Sequence, residues 1–262
     1  MTVTEGYFIK YKDVIWSVKG CFHPDGYAIA VPRYYKNKKI KRMKESMDIV
    51  QQKFPYLLKY YDEIGFRVPA VPLDESIILD PFSFNPYGVL RDFSLFFRNV
   101  GITGSYLYEG DGNDIDLLSF DENNYKILRL LRQQGITSPL ESINSEEVEG
   151  LDSRDFLNLK KFRVLEGFFK GIPYTFKIVR CEDFGKVMKM EEFSGTLEIK
   201  NAIKPYSIPV KYYTDNFVLT SFRTRYTELE EGKKIFVKGK VLRRDIFNDL
   251  DLDIAEEVKI LS

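Results

Sequence analysis

Residues 104–117 read Gly-Ser-Tyr-Leu-Tyr-Glu-Gly-Asp-Gly-Asn-Asp-Ile-Asp-Leu. In an extended strand successive side chains alternate faces, so Asp114 and Asp116 project to one side, roughly 6–7 Å apart, while Ile115 and Leu117 enter the core. Two carboxylates on one face attract divalent cations. Phosphoryl transfer commonly uses two such ions ~3.5–4 Å apart, and carboxylates at this spacing can bridge them. Gly104 and Ser105 at a strand-to-helix junction would aim backbone N–H groups and a hydroxyl at a phosphate, because glycine allows close approach. These residue types together suit a nucleoside triphosphate with its metal ions.

Alternation is not the argument by itself. Asp249-Leu-Asp251-Leu-Asp253 has the same pattern without a Gly-Ser turn, and is expected to be an exposed polar strand face. His23 lies beside Cys21, but no second pair exists to complete a metal site, so His23 reads as a turn residue before Pro24. Lys36, Lys38, Lys39, Lys41, Arg42 and Lys44 place six positive charges in nine residues. Such a run is a solvated loop and helix start, or the best local patch for a phosphate backbone. Arg223, Arg225 and Tyr226 mix cations with an aromatic ring, as single-strand-binding barrels do, although arginines on an edge strand read equally well.

The elements that must position these groups follow from periodicity. The first ~80 residues alternate in short runs, YFIKY, VIWSVKG and YAIAVPRYY, and predict a small antiparallel β unit, with a strand pair around Val68 to Leu79 closing it. Met47, Val50, Phe54, Leu57, Leu58 and Tyr61 form a helical stripe that Pro55 kinks or breaks. A second helix with Leu90, Phe93 and Phe97 inward starts near Pro86 and ends near Asn99 to Gly101. Residues 100–120 then read as strand, Gly-Ser turn, short helix, tight loop and strand. Helices are predicted at about 122–134, stopped by Gly135, and at about 153–169, with Phe156, Leu159, Phe162, Leu165 and Phe169 inward. A strand from Ile172 to Arg180 follows. After about Glu191 the signals are all β, and Gly239 inside KKIFVKGKVLRR suits the sharp bend of a small closed barrel. The predicted divisions are 1–84, an N-terminal α+β region; 85–190, an α/β core; and 191–262, a β-barrel-like domain.

The chain has 262 residues, 44% hydrophobic and 30% charged, a composition that builds a core and excludes extensive disorder. Lys plus Arg and Asp plus Glu each number 39, so no overall positive field holds a polyanion, and any such site is local. Two cysteines exclude a disulfide framework and a four-cysteine zinc site, and one histidine excludes most His-based metal centres. No stretch approaches ~18 uninterrupted apolar residues, and the N-terminus lacks the basic and apolar regions of a signal peptide, so a cytoplasmic protein without membrane partners is expected.

Gly104-Ser105, eight residues, then Asp114-Ile115-Asp116-Leu117 resembles the signature of the polymerase-beta-like nucleotidyltransferase superfamily. Lys19-Gly20-Cys21-Phe22-His23-Pro24 and Pro32-Arg33-Tyr34 also look like a group of uncharacterised archaeal predicted nucleotidyltransferases. The resemblance implies an α+β fold: a mixed sheet with flanking helices, here followed by a small β barrel resembling an oligonucleotide-binding (OB) fold. It implies transfer of a nucleoside monophosphate from a triphosphate with Mg²⁺ or Mn²⁺. Asp114 and Asp116 would be catalytic and hold the metal; Gly104, Ser105 and Lys177 would hold the nucleotide; His23 and Arg33 would line the substrate cleft.

The chain departs from the superfamily pattern in two ways. The gap from Ser105 to Asp114 is short, and the strand Ile172 to Arg180 lacks the third carboxylate usually found on a later central strand. Glu166, Glu182 or Asp183 would have to substitute, and Lys177 sits about where that acid is expected. Two function readings result. One is a nucleotidyltransferase acting on RNA, a protein or a small molecule; the other is a non-catalytic nucleotide- or RNA-binding module on the same fold. A third, a scaffold without a nucleotide site, requires Asp114 and Asp116 to face bulk solvent.

Overall fold

A computed structural model of the chain describes residues 3–36, 38–140 and 161–261. The alternating runs at the N-terminus pair into one sheet of seven strands: β1 (Phe8–Tyr11), β2 (Val14–Val18), β3 (Tyr27–Tyr35), β4 (Lys38–Lys39), β5 (Leu58–Tyr60), β6 (Arg67–Pro72) and β7 (Ile77–Leu79). Their order is β5-β6-β3-β2-β1-β7, with β4 also on β3. The strands expected to pair near 68–79 instead lie far apart, β6 on β3 and β7 on β1. The predicted stripe forms helix α1 (Met43–Lys53), which packs on β3 through Val50 and through the Ser46 hydroxyl donating to Pro32 O at 2.9 Å. Pro55 ends the helical course, and Leu58–Tyr60 continues as strand.

Helix α2 (Gly88–Ser94) buries Leu90 and Phe93, with Phe97 beyond it, as their spacing requires. The second sheet comprises β8 (Val100–Ile102), β9 (Ile115–Ser119), β10 (Thr137–Ser138), β11 (Glu166–Phe169) and β12 (Ile172–Ile178), in the order β10-β11-β12-β9-β8. The α3 helix (Ser105–Glu109) lies between β8 and β9, and α4 (Asn123–Gln133) follows β9 with Leu128 and Leu131 inward. β9 and β12 run parallel, and the other neighbours run antiparallel, so this is a mixed sheet with helices packed against it. Leu90, Phe93, Leu117, Leu128, Tyr174 and Phe176 share its core.

The helix expected at 153–169 is corrected in part. Phe156 and Leu159 lie outside the described residues, Phe162 is exposed, and Glu166–Phe169 is strand β11. Gly171 turns the chain from β11 back into β12, so Leu165 and Phe169 are buried by sheet pairing.

The C-terminal strands are β13 (Val187–Glu198), β14 (Asn201–Ala202), β15 (Val210–Tyr213), β16 (Val218–Ser221), β17 (Lys234–Arg244), β18 (Asn248–Asp251) and β19 (Glu257–Leu261). They form one sheet in the order β13-β17-β18-β16-β15-β14, with β19 on β17. Among the described residues no strand pairing closes it into the expected barrel. Gly239 does not interrupt β17, whose ladder with β13 continues through Phe193↔Gly239; a side chain there would meet Ala255 at about 3.0 Å. The first and third sheets share a core that includes Trp16, Val50, Tyr212 and Ile235. No described helix is long and apolar enough to cross a membrane.

Candidate functional site

The Gly-Ser turn and the aspartates are assembled by the β8–β9 pair. Ile102 is in register with Leu117, and one residue further the Thr103 N–H donates to Asp116 O at 2.9 Å, so the turn lies directly over Asp116. Gly104 has φ +67° and so close an approach that a β-carbon on it would stand 1.9 Å from Asp116 Oδ2. Only glycine satisfies both conditions. Ser105 begins α3 and is buried, and a side chain at Gly112 would stand 2.4 Å from its Oγ, so the short loop folds down onto the serine. The Tyr87 hydroxyl anchors that loop by donating to Gly110 O at 2.9 Å.

Asp114 lies one residue before β9 rather than within the strand, yet it lines the same cleft as Asp116, Gly104 and Ser105. The cleft encloses about 330 Å³. Its walls come from strands and from the segments that follow them: Arg33, Lys39 and Lys177 from β3, β4 and β12, Lys19 and Lys41 just beyond β2 and β4, and Arg223 and Arg225 just beyond β16. Seven cations thus face two carboxylates in a chain of zero net charge. Arg33 is held by its Nη1 donating to Ile40 O at 2.9 Å. Of the basic run, Lys39 and Lys41 reach the cleft, whereas Lys38 is exposed and paired with Glu45 at 2.7 Å. Tyr226 is core rather than a stacking platform, and its carbonyl accepts from the Tyr212 hydroxyl at 2.6 Å.

Burial first, and the neighbouring Asp114 second, push the Asp116 carboxyl up to about 6, against the pull of Lys177, Lys39 and Arg33. Lys177 extends from β12 and donates to Glu5 Oε1 at 3.3 Å; Glu5 also faces Lys19 at 3.8 Å and accepts from the Gly20 N–H at 3.0 Å. Burial raises the Glu5 carboxyl, but the two ammonium groups and the amide outweigh it, and Glu5 titrates below its ordinary value.

No candidate third carboxylate reaches the cleft. Asp116, Thr175 and Glu166 are in register across β9, β12 and β11, which puts Glu166 two strands, ~10 Å, from Asp116. Its carboxylate accepts from Arg163 Nη1 at 2.8 Å. Glu182 pairs with Arg180 at 3.3 Å and Lys211 at 2.5 Å, and Asp183 accepts from the Gly185 N–H at 2.8 Å. Among the described residues no group of three or more His, Cys, Asp or Glu side chains is placed to hold a metal ion.

His23 does not line the cleft. Its Nδ1 accepts from the Ile29 N–H at 3.1 Å, and burial pushes its pKa down to about 4. Neighbouring Cys21 is joined to Cys181 in a disulfide, a single bridge that the cysteine count left open while excluding a framework. The acidic row at 249–253 is not a solvated face. Asp249 is fully buried against Arg244 at 2.7 Å, and Asp253 accepts from Ser221 Oγ and the Phe222 N–H at 2.5 and 2.7 Å. What covers Asp249 is side chains from the neighbouring strands, the Thr220 hydroxyl of β16 at 2.6 Å and Arg244 of β17.

Glu5 and Tyr108 were not legible as site residues. Tyr108 lines the cleft with its ring 5.0 Å from that of Phe8 and a buried hydroxyl without a hydrogen-bond partner among the described residues. Burial raises its pKa to about 12. No known family, curated protein or solved structure matches the chain.

Proposed function

We propose that the chain is a metal-dependent nucleotidyltransferase that binds a nucleoside triphosphate in this cleft. The observation that carries the reading is the convergence of Gly104, Ser105, Asp114 and Asp116 on one concave, cation-lined space, where a scaffold would leave the aspartates in bulk solvent.

The residues fit a divalent cation. Two carboxylates share the cleft, and Asp116 is raised partly by repulsion from Asp114, which a cation between them relieves. Mg²⁺ is commonly bound through one or two carboxylates and completed by substrate phosphates, so Asp114 and Asp116 suffice once a triphosphate is present. Bound there, Mg²⁺ or Mn²⁺ supplies charge neutralisation at the phosphates. Gly104 lets the turn backbone close directly onto Asp116, Ser105 offers a hydroxyl, and Lys177 and Arg33 balance the triphosphate charge. An acceptor hydroxyl then attacks the α-phosphorus in line. Its O–P bond forms as the α–β bridging bond breaks, pyrophosphate leaves with the electron pair, and the hydroxyl proton passes to solvent water. Positioning and charge stabilisation carry most of the rate.

A second reading, a non-catalytic nucleotide- or RNA-binding module, is favoured by one observation: β12 presents Thr175 and Lys177, not an acid, beside Asp116. Calorimetric titration of each nucleoside triphosphate with Mg²⁺ or Mn²⁺, on wild type and Asp116→Ala, tests the site. Metal-dependent binding that the variant loses supports it, and no binding under either metal overturns it. Pyrophosphate release with candidate acceptors then separates enzyme from module.

A further inference from the structure

We infer that this site works with a single divalent cation, the ammonium of Lys177 standing where a second would act on the triphosphate. The inference rests on the nucleotide reading above and specifies its electrostatics.

The argument begins with the sheet. β9 and β12 are parallel neighbours, with Thr175 in register with Asp116 and Lys177 with Leu118. Alternation puts Asp116, Thr175 and Lys177 on one face, opposite the face where Tyr174, Phe176 and Ile178 pack into the core. Among the described residues, the positions next to Asp116 on the neighbouring strand where a further carboxylate could stand are on this part of β12. Thr175 and Lys177 occupy it, and Glu166, the next acid along the row, is engaged by Arg163.

Lys177 is placed for this role. Its side chain lines the cleft with Asp114 and Asp116, and it is oriented from behind by buried Glu5 at 3.3 Å. Glu5 is shared with Lys19, so the trio keeps one net positive charge. Two carboxylates, one divalent ion and that one positive charge sum to the same formal charge as three carboxylates with two divalent ions. An ammonium is a compact point charge with three donors, suited to phosphate oxygens.

The test is the Mn²⁺ stoichiometry of the full chain saturated with a non-hydrolysable α,β-methylene triphosphate, read by electron paramagnetic resonance. One Mn²⁺ per chain–nucleotide complex is expected. Two would overturn the inference while leaving the nucleotide site intact; failure of the analogue to bind at all would overturn the nucleotide reading itself. Lys177→Met should weaken the analogue ~10-fold or more with the stoichiometry still one. Unchanged affinity in a folded Lys177→Met would remove Lys177 from the phosphates and overturn the inference.

Discussion

The backbone of Gly104 rests against the carboxylate of Asp116: a β-carbon at residue 104 would stand 1.9 Å from Asp116 Oδ2 and 2.7 Å from its Cγ. Neither partner can shift freely, because the Thr103 N–H holds the Asp116 carbonyl on the other side of the turn. Gly104→Ala should therefore displace the carboxylate as well as strain a φ of +67°. The strain alone costs about 1–2 kcal/mol. Gly26 has φ +76° with open space around it, so Gly26→Ala carries the backbone cost without the collision. Thermal melts and nucleotide titrations of the two variants should show destabilisation of that order in Gly26→Ala, a larger one in Gly104→Ala, and loss of triphosphate binding only in Gly104→Ala.

Asp116 should be a site residue held against the interest of stability. Burial and Asp114 raise its carboxyl to about 6, so the ionised form at pH 7.5 is destabilising in metal-free protein. Asp116→Asn keeps the shape and removes the charge. Because the side chain opens onto the cleft, the expected gain is reduced from the full shift to about 1–2 kcal/mol. Melts with a chelator present should show a higher Tm for the variant, alongside its loss of metal-dependent nucleotide binding. A lower Tm would mean that Asp116 is a structural carboxylate.

The legible part of this site was its local part. Gly104, Ser105, Asp114 and Asp116 lie within one β8–α3–β9 unit, and spacing along the chain carries their geometry. The cations that complete the cleft come from Lys19 to Arg225, and only sheet packing brings them together. Glu5 gives no periodic or motif signal; its role exists only because Lys19 and Lys177 meet above it. Asp249 shows the opposite failure. Its alternation with leucines fits a solvated and a covered face equally, and the Thr220 and Arg244 side chains that close over it decide between them. Leu165 and Phe169 were correctly expected to be buried but in a helix, because their spacing satisfies a helical stripe while β12 pairs with Glu166–Phe169 instead.

His23 should make the protein acid-sensitive. Its folded pKa of about 4 lies below the 6.5 of an ordinary ring, so the unfolded chain takes up the proton first. The stabilisation is complete above about pH 7 and is lost as pH falls from 6.5 towards 4, by about 3 kcal/mol in all. Asp116 titrates in the same window with the opposite sign, so the comparison belongs in the Asp116→Asn background. There, His23→Asn, whose amide oxygen can accept from the Ile29 N–H as Nδ1 does, should remove this part of the fall in stability between pH 7 and 4.5, the raised carboxyls of Glu228, Asp249, Asp251 and Asp253 acting alike in both proteins. An unchanged slope in urea-unfolding series would exclude this histidine as the cause.

Reduction of Cys21–Cys181 should cost stability before it costs ligand binding. The bridge joins positions 160 residues apart, linking the segment after β2 to the segment after β12. In the loop-entropy account a closure of this length contributes up to ~5 kcal/mol through the unfolded chain. Lys19 lies two residues before Cys21 and Lys177 four before Cys181, so the bridge also ties together the two ends of the Lys19–Glu5–Lys177 trio. That trio keeps its own ion pairs and its Gly20 hydrogen bond when the sulfurs part. Dithiothreitol, or Cys21→Ala with Cys181→Ala, should therefore lower Tm by ~10 °C while weakening nucleotide binding less than Lys177→Met does. A loss of affinity as large as that of Lys177→Met would instead mean that the covalent tie, not Glu5, orients the lysine.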